Sequence, residues 1–371
     1  GGRFADQEGQ QPLMNQSAAG SGSVVLAGGG TAGHTSPLIA TGLELQRLSP
    51  GLALTALGTA RGLETTVVPA AGLELELIPP VPMPRRAGKD LLLVGPRLLQ
   101  AVQATVGLLR RTDADVVLGF GGYVSTPAYL AARRLGLPIV IHEQNVLPGL
   151  ANKLAARLTS HVYTSFPQTP LPHADCIGLP MRRAITDLDR VALQRQARLG
   201  FELHAELPTL LVSGGSQGAL QINTAVAGAW PELLGHGIQV LHVLGPNNLT
   251  ADIVGSVDEQ TGAVYRPVAY VEQMERAYAA ADLMLARSGA GTVLETAAVG
   301  LPAVFVPYPH GNGEQARNAE LVVNAGGGIL LADSNCTSAW VAEEIPVLFA
   351  HPDRLAGMRN ALAGVARLDA A

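Results

Sequence analysis

The stretch Ala281–Asn318 decides the fold, and it reads ADLMLARSGAGTVLETAAVGLPAVFVPYPHGNGEQARN. Its first part, Asp282–Ala286, has the length and apolar character of one buried strand. The small-residue loop Arg287–Thr292 follows and opens a helix, and Ala303–Val306 then forms the next strand. This order predicts two parallel strands joined by a helix. An ordinary unit of this type with a glycine-rich turn is the simplest interpretation of the loop alone.

The same stretch also has the features of a phosphate site. Small residues let backbone N–H groups approach a phosphate, and a helix N-terminus favours negative charge. Glu295 lies one turn into the helix, where a carboxylate can reach both hydroxyls of a ribose. The loop His310–Asn318 brings Glu314 and Gln315 over the same pocket. Together these features predict a nucleotide-sugar site.

The two halves of the chain resemble each other. VVLAGGGTAGH at Val24–His34 is similar to TLLVSGGSQGA at Thr209–Ala219, and Asp115–Ile141 is similar to Asp282–Phe305. Each half therefore predicts its own Rossmann-like domain, and two such domains leave a cleft in which two substrates can meet. The acidic residue expected about 20 residues after the first loop of an NAD site is missing. This disfavours a dinucleotide oxidoreductase.

Polar clusters follow the predicted strands of the first half. Gly119–Ser125 follows one buried strand, and His142–Asn145 follows the strand Ile139–Ile141. In an open α/β sheet, ligands bind outside the C-terminal ends of the strands. We therefore expect both clusters to converge with Gly28–His34 on one rim of the domain.

The composition excludes several classes of protein. The length of 371 residues favours two domains, and a net charge of −5 argues against a general nucleic-acid binder. Cys176 and Cys336 lie far apart without a CxxC motif, which favours neither a disulfide framework nor a zinc site. The sequence has no run of about 18 uninterrupted apolar residues, so we predict no membrane-spanning helix. Residues 1–22 are rich in Gly, Gln and Ser, contain no visible signal peptide, and are expected to be a disordered extension.

One segment combines basic and apolar residues. Between Val81 and Arg111, basic residues directly precede a leucine cluster and a helix. This pattern is typical of a surface that rests on anionic lipid, although an amphipathic helix facing the core would give a similar one. The candidate membrane residues are Arg85, Arg86, Lys89, Leu91, Leu92, Leu93 and Arg97.

Six motifs together resemble those of the bacterial MurG glycosyltransferases, over about residues 23–365. The motifs are GGGTAGHTSP (Gly28–Pro37), GFGGYVSTP (Gly119–Pro127), IHEQN (Ile141–Asn145), SGGSQGA (Ser213–Ala219), RSGAGTVLE (Arg287–Glu295) and GNGEQARNA (Gly311–Ala319). The resemblance implies the α/β GT-B fold, in which two Rossmann-like domains with parallel sheets face each other across a cleft. It implies a first domain of residues 23–180 plus 352–371 and a second of residues 181–351, with the final helix crossing back to the first.

The resemblance also implies transfer of N-acetylglucosamine from UDP-GlcNAc to lipid I, forming lipid II for peptidoglycan. The donor site it implies consists of Thr31, Ala32, Gly33, Arg182, Ser216, Val271, Ala290, Gly291, Thr292, Glu295, Glu314 and Gln315. The acceptor site it implies consists of Thr31, His34, Tyr123, Ser125, His142, Glu143 and Asn145. This chain has Glu314 where some members have Gln, and Leu179 where some have Asn.

For the mechanism we expect inversion in one displacement. His34 is the candidate catalytic base because histidine ordinarily titrates near pH 6.5, although it could instead bind phosphate or cap a helix. No DxD motif lies directly before the donor loop Arg287–Thr292, so we predict neither a metal nor another cofactor. The expected partners are UDP-GlcNAc, lipid I and an anionic membrane surface, and no nucleic acid is expected. We expect the protein to lie at the cytoplasmic face of the cell membrane as a peripheral protein.

Two other functions fit parts of this pattern. A UDP-GlcNAc 2-epimerase-like enzyme shares the two-domain layout and needs no lipid acceptor. A non-catalytic nucleotide-sugar-binding protein would keep Ser216 and Glu295 but would not need His34.

Overall fold

The computed structural model describes residues 22–81, 94–215 and 218–371. They form two lobes, each built on a seven-stranded sheet. The expected extension, residues 1–22, lies outside the described residues except for Gly22. The segment from Arg85 to Leu93 and the loop residue Ser216 also lie outside them, so their predicted roles stay predictions.

The first lobe contains a parallel sheet in the order β3-β2-β1-β4-β5-β6-β7. Its strands are β1 Ser23–Gly28, β2 Ala53–Gly58, β3 Glu74–Leu77, β4 Val116–Gly121, β5 Ile139–Glu143, β6 His161–Thr164 and β7 Ala174–Cys176. Its helices are α1 Ala32–Leu48, α2 Glu64–Ala70, α3 Val94–Arg111, α4 Ser125–Leu135 and α5 Leu150–Ala155. Two helices, α6 Arg183–Thr186 and α7 Arg190–Gly200, lead into the second lobe.

The second lobe has the sheet order β10-β11-β9-β8-β12-β13-β14. Its strands are β8 Thr209–Ser213, β9 Gln239–Val243, β10 Ser256–Val257, β11 Val264–Val268, β12 Leu283–Ala286, β13 Ala303–Phe305 and β14 Gly328–Leu330. Its helices are α8 Leu220–Ala227, α9 Trp230–Gly235, α10 Met274–Ala280, α11 Ala290–Ala298, α12 Glu314–Asn324, the 3-10 turn Asp333–Asn335, α13 Ser338–Ala350 and α14 Pro352–Ala361. Only β10 is antiparallel to its neighbour among these strands.

The apolar runs predicted as strands are buried because helices cover both faces of each sheet. Val25, Leu26 and Ala27 of β1 have no exposed surface, and neither do Leu210, Leu211 and Val212 of β8. The strand order reverses beside β1 in one sheet and beside β8 in the other. Ligands of open α/β sheets bind at such a point, where the loops after the strands diverge. The prediction of two Rossmann-like lobes is therefore confirmed.

The lobes meet along a buried apolar cluster. Val146 and Phe166 from the first lobe pack in this cluster with Leu179 and Met181 from the connecting segment and Leu294 from α11. Leu179 is 4 % exposed here. The rims that carry the glycine loops are thereby held close to one another.

The end of the chain differs in detail from the predicted crossing. Helix α14 packs on the second lobe, where Leu355 and Met358 belong to the core. The crossing occurs after the helix, where Arg367 donates a hydrogen bond to the carbonyl oxygen of Cys176 in β7. Residues that follow α14 thus reach the first lobe.

Candidate active site between the lobes

Two helix N-termini face the cleft, one from each lobe. Thr31 precedes α1 and Gly289 precedes α11, both with extended backbone and no side-chain cap. The first amides of a helix have no partner within the helix, so they can bind an anion. These amides belong to Ala32 and Gly33 on one side and to Ala290–Thr292 on the other. The two helices approach within 8 Å between Cα atoms.

The carboxylate of Glu295 lies on α11, at the side of the cleft predicted to hold the ribose. Its Oε2 accepts a hydrogen bond of 2.7 Å from the hydroxyl of Tyr278, which is 2 % exposed. Burial raises the pKa of Glu295, while the Tyr278 hydroxyl and the charge of Arg182 partly offset this rise. Oε1 has no hydrogen-bond partner in the described part of the chain, which leaves it available to a ligand hydroxyl.

Two further predicted donor residues lie near Glu295. Arg182 is half-buried and donates a hydrogen bond of 3.1 Å to Oε2 of Glu275. Val271 is 7 % exposed, and its side chain belongs to the interlobe core. Its backbone is therefore the part of this residue that can meet a nucleobase.

The side chain of Gln315 is oriented by the loop that precedes it. Its Oε1 accepts a hydrogen bond of 2.9 Å from the amide of Tyr308. Its NH2 group has no hydrogen-bond partner among the residues that the structure describes, so it can donate to a sugar hydroxyl. Arg287 fixes that loop, because Nη1 lies 3.1 Å from the carbonyl oxygens of both Val306 and Pro307. Sequence reasoning placed Arg287 in a motif but missed this role.

Glu314 connects the two rims electrostatically. Burial raises the pKa of its carboxyl and a side-chain hydrogen bond with Asn312 lowers it, while the negative charge of Glu143 raises it and a positive charge on His34 would lower it. Glu314 belongs to the second lobe, whereas Glu143 and His34 belong to the first. The structure therefore brings His34 and the Glu314 loop to the same part of the cleft.

His34 lies in the first turn of α1, against the loop after β4. Its Nδ1 is 3.1 Å from Oε1 of Gln144. Gly121 and Gly122 have φ angles of 87° and 80°, in the left-handed region that favours glycine. A Cβ atom at Gly122 would lie 2.4 Å from the carbonyl oxygen of Gly29, so a side chain there would push the two loops apart.

A buried carboxylate that sequence reasoning missed organises the first glycine loop. Glu64 has no exposed surface, and its Oε2 accepts a hydrogen bond of 2.9 Å from the amide of Gly30. Its Oε1 accepts one of 3.0 Å from the amide of Thr59 and lies 3.5 Å from the hydroxyl of Tyr123. The Gly30 amide is thus already occupied, whereas the first amides of α1 could still bind an anion. Burial raises the pKa of Tyr123.

Three residues predicted to contact the acceptor are instead buried and hydrogen-bonded inside the first lobe: Ser125, His142 and Glu143. The Ser125 hydroxyl lies 2.8 Å from the carbonyl oxygen of Ala27. Both oxygens of the Glu143 carboxylate accept bonds from residues that follow it in the chain. Because partners within the lobe occupy these groups, they support the rim rather than form its surface.

Other predicted residues have less informative positions. Arg97 is half-buried on α3, which also carries Leu99, a residue that is 55 % exposed.

Both cysteines are free. Across residues 22–81, 94–215 and 218–371, no three His, Cys, Asp or Glu side chains are grouped as they would be around a metal ion. In the same ranges, no helix has both the length and the apolar character needed to cross a bilayer.

Comparison with known proteins gives one consistent relationship. Residues 24–164 match the glycosyltransferase family 28 N-terminal domain, and residues 209–371 match the C-terminal domain of that family. Relatives from Nocardioides sp. (strain ATCC BAA-499 / JS614) and Streptomyces coelicolor are 55% and 51% identical to the chain. Each comparison covers 94% of this chain and 94% of the relative. Both are named UDP-N-acetylglucosamine--N-acetylmuramyl-(pentapeptide) pyrophosphoryl-undecaprenol N-acetylglucosamine transferase.

The chain belongs to the MurG family of glycosyltransferases. The crystal structure of MurG from Acinetobacter baumannii is similar to it, with a TM-score of 0.69 and 26% identity over 92% of this chain and 94% of that one. A Streptomyces sp. SF2575 glycosyltransferase, SsfS6, shares the fold at 17% identity and a TM-score of 0.61, over 93% and 95% of the two chains.

The structure divides the predicted site residues into two groups, according to whether their polar groups are already hydrogen-bonded inside the protein. Groups that remain available to a ligand lie on both rims: the α1 and α11 amides, Glu295 Oε1 and the Gln315 NH2. Groups already bonded inside the protein lie behind the first rim, and they include Ser125, His142 and Glu143. The available groups of the two lobes therefore lie on opposite rims of one cleft.

Proposed function

We propose that this chain transfers N-acetylglucosamine from UDP-GlcNAc to the 4-hydroxyl of the MurNAc of lipid I, forming lipid II. The identity of 55% over nearly the full length to a transferase of that name carries this proposal. The arrangement of the cleft supports it, because anion-binding helix ends approach from both lobes and each substrate carries a diphosphate.

On the donor side, the second lobe holds the nucleotide. The amides of Ala290–Thr292 and the N-terminus of α11 bind the diphosphate, and Glu295 Oε1 accepts from a ribose hydroxyl. When the bond between the anomeric carbon and UDP breaks, its electron pair moves to the β-phosphate oxygen. Preorganised amides stabilise that developing charge without reorganisation.

On the acceptor side, the 4-hydroxyl oxygen attacks the anomeric carbon from the opposite face. One displacement inverts the α-linked donor to a β-linked product. The hydroxyl proton passes to Nε2 of His34, which has no hydrogen-bond partner among the described residues. General-base assistance of this kind typically contributes about 10²–10⁴-fold to a rate.

The chemistry needs no metal in this proposal, because amides and a helix N-terminus supply the positive potential at the diphosphate. The enzyme works as a peripheral protein on the cytoplasmic face of the cell membrane. The basic and leucine-rich sequence between Val81 and Arg97 and the exposed Leu99 on α3 support this location. Its product, lipid II, is used for peptidoglycan synthesis, on which cell shape and cell division depend.

A transfer assay tests the proposed function. Labelled UDP-GlcNAc is incubated with a short-chain lipid I analogue, and the disaccharide product is followed with and without EDTA. We expect transfer with a β linkage, undiminished by EDTA. Formation of UDP-ManNAc from UDP-GlcNAc alone would favour an epimerase, and binding without turnover would favour a nucleotide-sugar-binding protein. Loss of turnover in EDTA that Mg²⁺ restores would contradict metal independence.

A further inference from the structure

A continuous chain of hydrogen bonds runs from His34 into the first lobe. His34 Nδ1 is 3.1 Å from Gln144 Oε1, and Gln144 Nε2 is 3.1 Å from His142 Nδ1. His142 Nε2 in turn lies 2.8 Å from the carbonyl oxygen of Gly178. Gln144 and His142 are 1 % and 3 % exposed, so water does not compete for these contacts.

The orientation of the Gln144 amide follows from a backbone contact. Gln144 Nε2 also lies 2.8 Å from the carbonyl oxygen of His142, which can only accept. Rotating the amide by 180° would place two acceptor oxygens against each other. The NH2 group must therefore face His142, and Oε1 must face His34.

The protonation of His142 agrees with this orientation. The carbonyl oxygen of Gly178 requires a proton on His142 Nε2. Burial lowers the pKa of His142 to about 4, so the ring is neutral near pH 7 and its Nδ1 carries a lone pair. That lone pair accepts the second proton of the Gln144 amide. Only in this arrangement does every donor in this series of hydrogen bonds face an acceptor.

We infer that Gln144 is a positioning residue that holds neutral His34 in the Nδ1–H tautomer, with the lone pair on Nε2. Oε1 of Gln144 can only accept, so the nitrogen that faces it must carry the proton. The inference rests on the proposed function, in which the Nε2 lone pair takes the acceptor proton. His142 supports Gln144 and does not itself touch substrate.

The choice of a neutral amide has a chemical consequence. A carboxylate beside a histidine stabilises the imidazolium that forms during catalysis, whereas an amide orients the ring without adding a charge. Glu314 of the other lobe interacts electrostatically with His34, and Glu143 is a carboxylate of the lobe that carries His34. Gln144 thus orients the His34 ring without adding a further negative charge beside it.

Nitrogen NMR of the histidine rings tests the tautomer directly. The full chain is labelled with ¹⁵N-histidine, and the His34 signals are assigned with His34→Asn. We expect a protonated Nδ1 and an unprotonated Nε2 at a pH where His34 is neutral. In Gln144→Leu we expect both tautomers. A wild-type His34 with the proton on Nε2, or an unchanged tautomer in Gln144→Leu, would overturn the inference.

Kinetics of the same variants provide the second readout. We expect Gln144→Leu to lower kcat about 10- to 100-fold with little change in the KM for UDP-GlcNAc, since the misplaced proton affects only the transfer step. Gln260→Leu changes an exposed glutamine of the second lobe and should leave kcat unchanged. Gln144→Glu keeps an acceptor for Nδ1–H, so it should retain the tautomer and shift the acid limb of kcat/KM to higher pH.

The outcomes separate the inference from the function on which it rests. If wild-type protein transfers no sugar, the proposed function fails, while the NMR result still decides the tautomer. If wild-type protein is active and Gln144→Leu keeps full kcat with an unchanged His34 tautomer, only the inference fails. Should Gln144→Leu not fold, the wild-type tautomer alone supports or overturns it.

Discussion

Asn318 in α12 of the second lobe donates a hydrogen bond of 3.1 Å from Nδ2 to Oδ1 of Asn145 in the first lobe. The same side chain accepts a bond of 3.0 Å from the amide of Val146 through its Oδ1. Asn318 has no exposed surface. This pair joins the helix that carries Glu314 and Gln315 to the rim that carries Gln144. Through α12, the pair holds Glu314 and Gln315 opposite the rim that carries Gln144.

Asn318→Ala should destabilise the joined lobes. The amide of Val146 would lose its only hydrogen-bond acceptor among the described residues and stay buried, which typically costs about 1–3 kcal/mol. Thermal unfolding should show a lower midpoint, and the KM for UDP-GlcNAc should rise because Gln315 is less well placed. Asn324→Ala, at the exposed end of the same helix, is the control and should change neither quantity. Equal behaviour of the two variants would mean that the interlobe pair contributes nothing.

Tyr278→Phe should weaken UDP binding in a pH-dependent way. Burial raises the pKa of Glu295 and the Tyr278 hydroxyl lowers it, so removing the hydroxyl raises the pKa further. Affinity for UDP requires the ionised carboxylate and falls as the pH drops through this pKa. The fall should therefore begin at higher pH in the variant than in the wild type. Calorimetric titration with UDP between pH 5 and pH 8 would show it, and superimposable pH curves would argue against a ribose contact by Glu295.

Glu64→Gln should disturb the first glycine loop. The carboxylate accepts from both Gly30 and Thr59, and an amide would place an NH2 group against one of these donors. We expect a loss of about 1–3 kcal/mol of stability. The KM for lipid I should rise more than the KM for UDP-GlcNAc, because Glu64 lies in the first lobe. Glu74→Gln on the exposed end of β3 is the matched control, and it should resemble the wild type.

Stability should fall as the pH drops from about 6.5 to about 4. Burial lowers the pKa of both His142 and His242 to about 4, while an unfolded chain binds these protons near pH 6.5. Between these values the unfolded state binds more protons, so each histidine removes about 3 kcal/mol from the free energy of unfolding. Urea unfolding at several pH values measures the free energy of unfolding across this range. His242→Gln should make the decline shallower, whereas exposed His161→Gln should not; a flat wild-type profile would contradict the neutral buried rings.

The sequence was sufficient to predict the two lobes and the position of the cleft. The apolar runs of β1 and β8 are each followed by a glycine loop and a helix, and this local order determines the topology of the sheets. The short edge strands β7 and β10 were not predicted. Ala174–Cys176 and Ser256–Val257 are short and contain polar residues, so neither shows the apolar run of a buried strand.

The site was less predictable because its decisive contacts join distant residues. Glu64 reaches Gly30 across 34 positions, and Gln144 reaches His34 across 110. Motifs identified the neighbourhood of His142 and Glu143 but not their burial, since burial depends on how the loop after β5 folds back. Polar residues at the end of a strand can face a ligand or support the loop, and only coordinates distinguish the two.

The central claim is that UDP-GlcNAc binds the second lobe with its sugar directed toward His34 of the first. A crystal structure of the full chain with UDP-GlcNAc tests this most directly. We predict a ribose hydroxyl within hydrogen-bonding distance of Glu295 Oε1, the diphosphate on the amides of Ala290–Thr292, and the anomeric carbon facing the His34 side of the cleft. A nucleotide bound instead to the Gly28–Gly33 loop, with Glu295 unoccupied, would contradict the account.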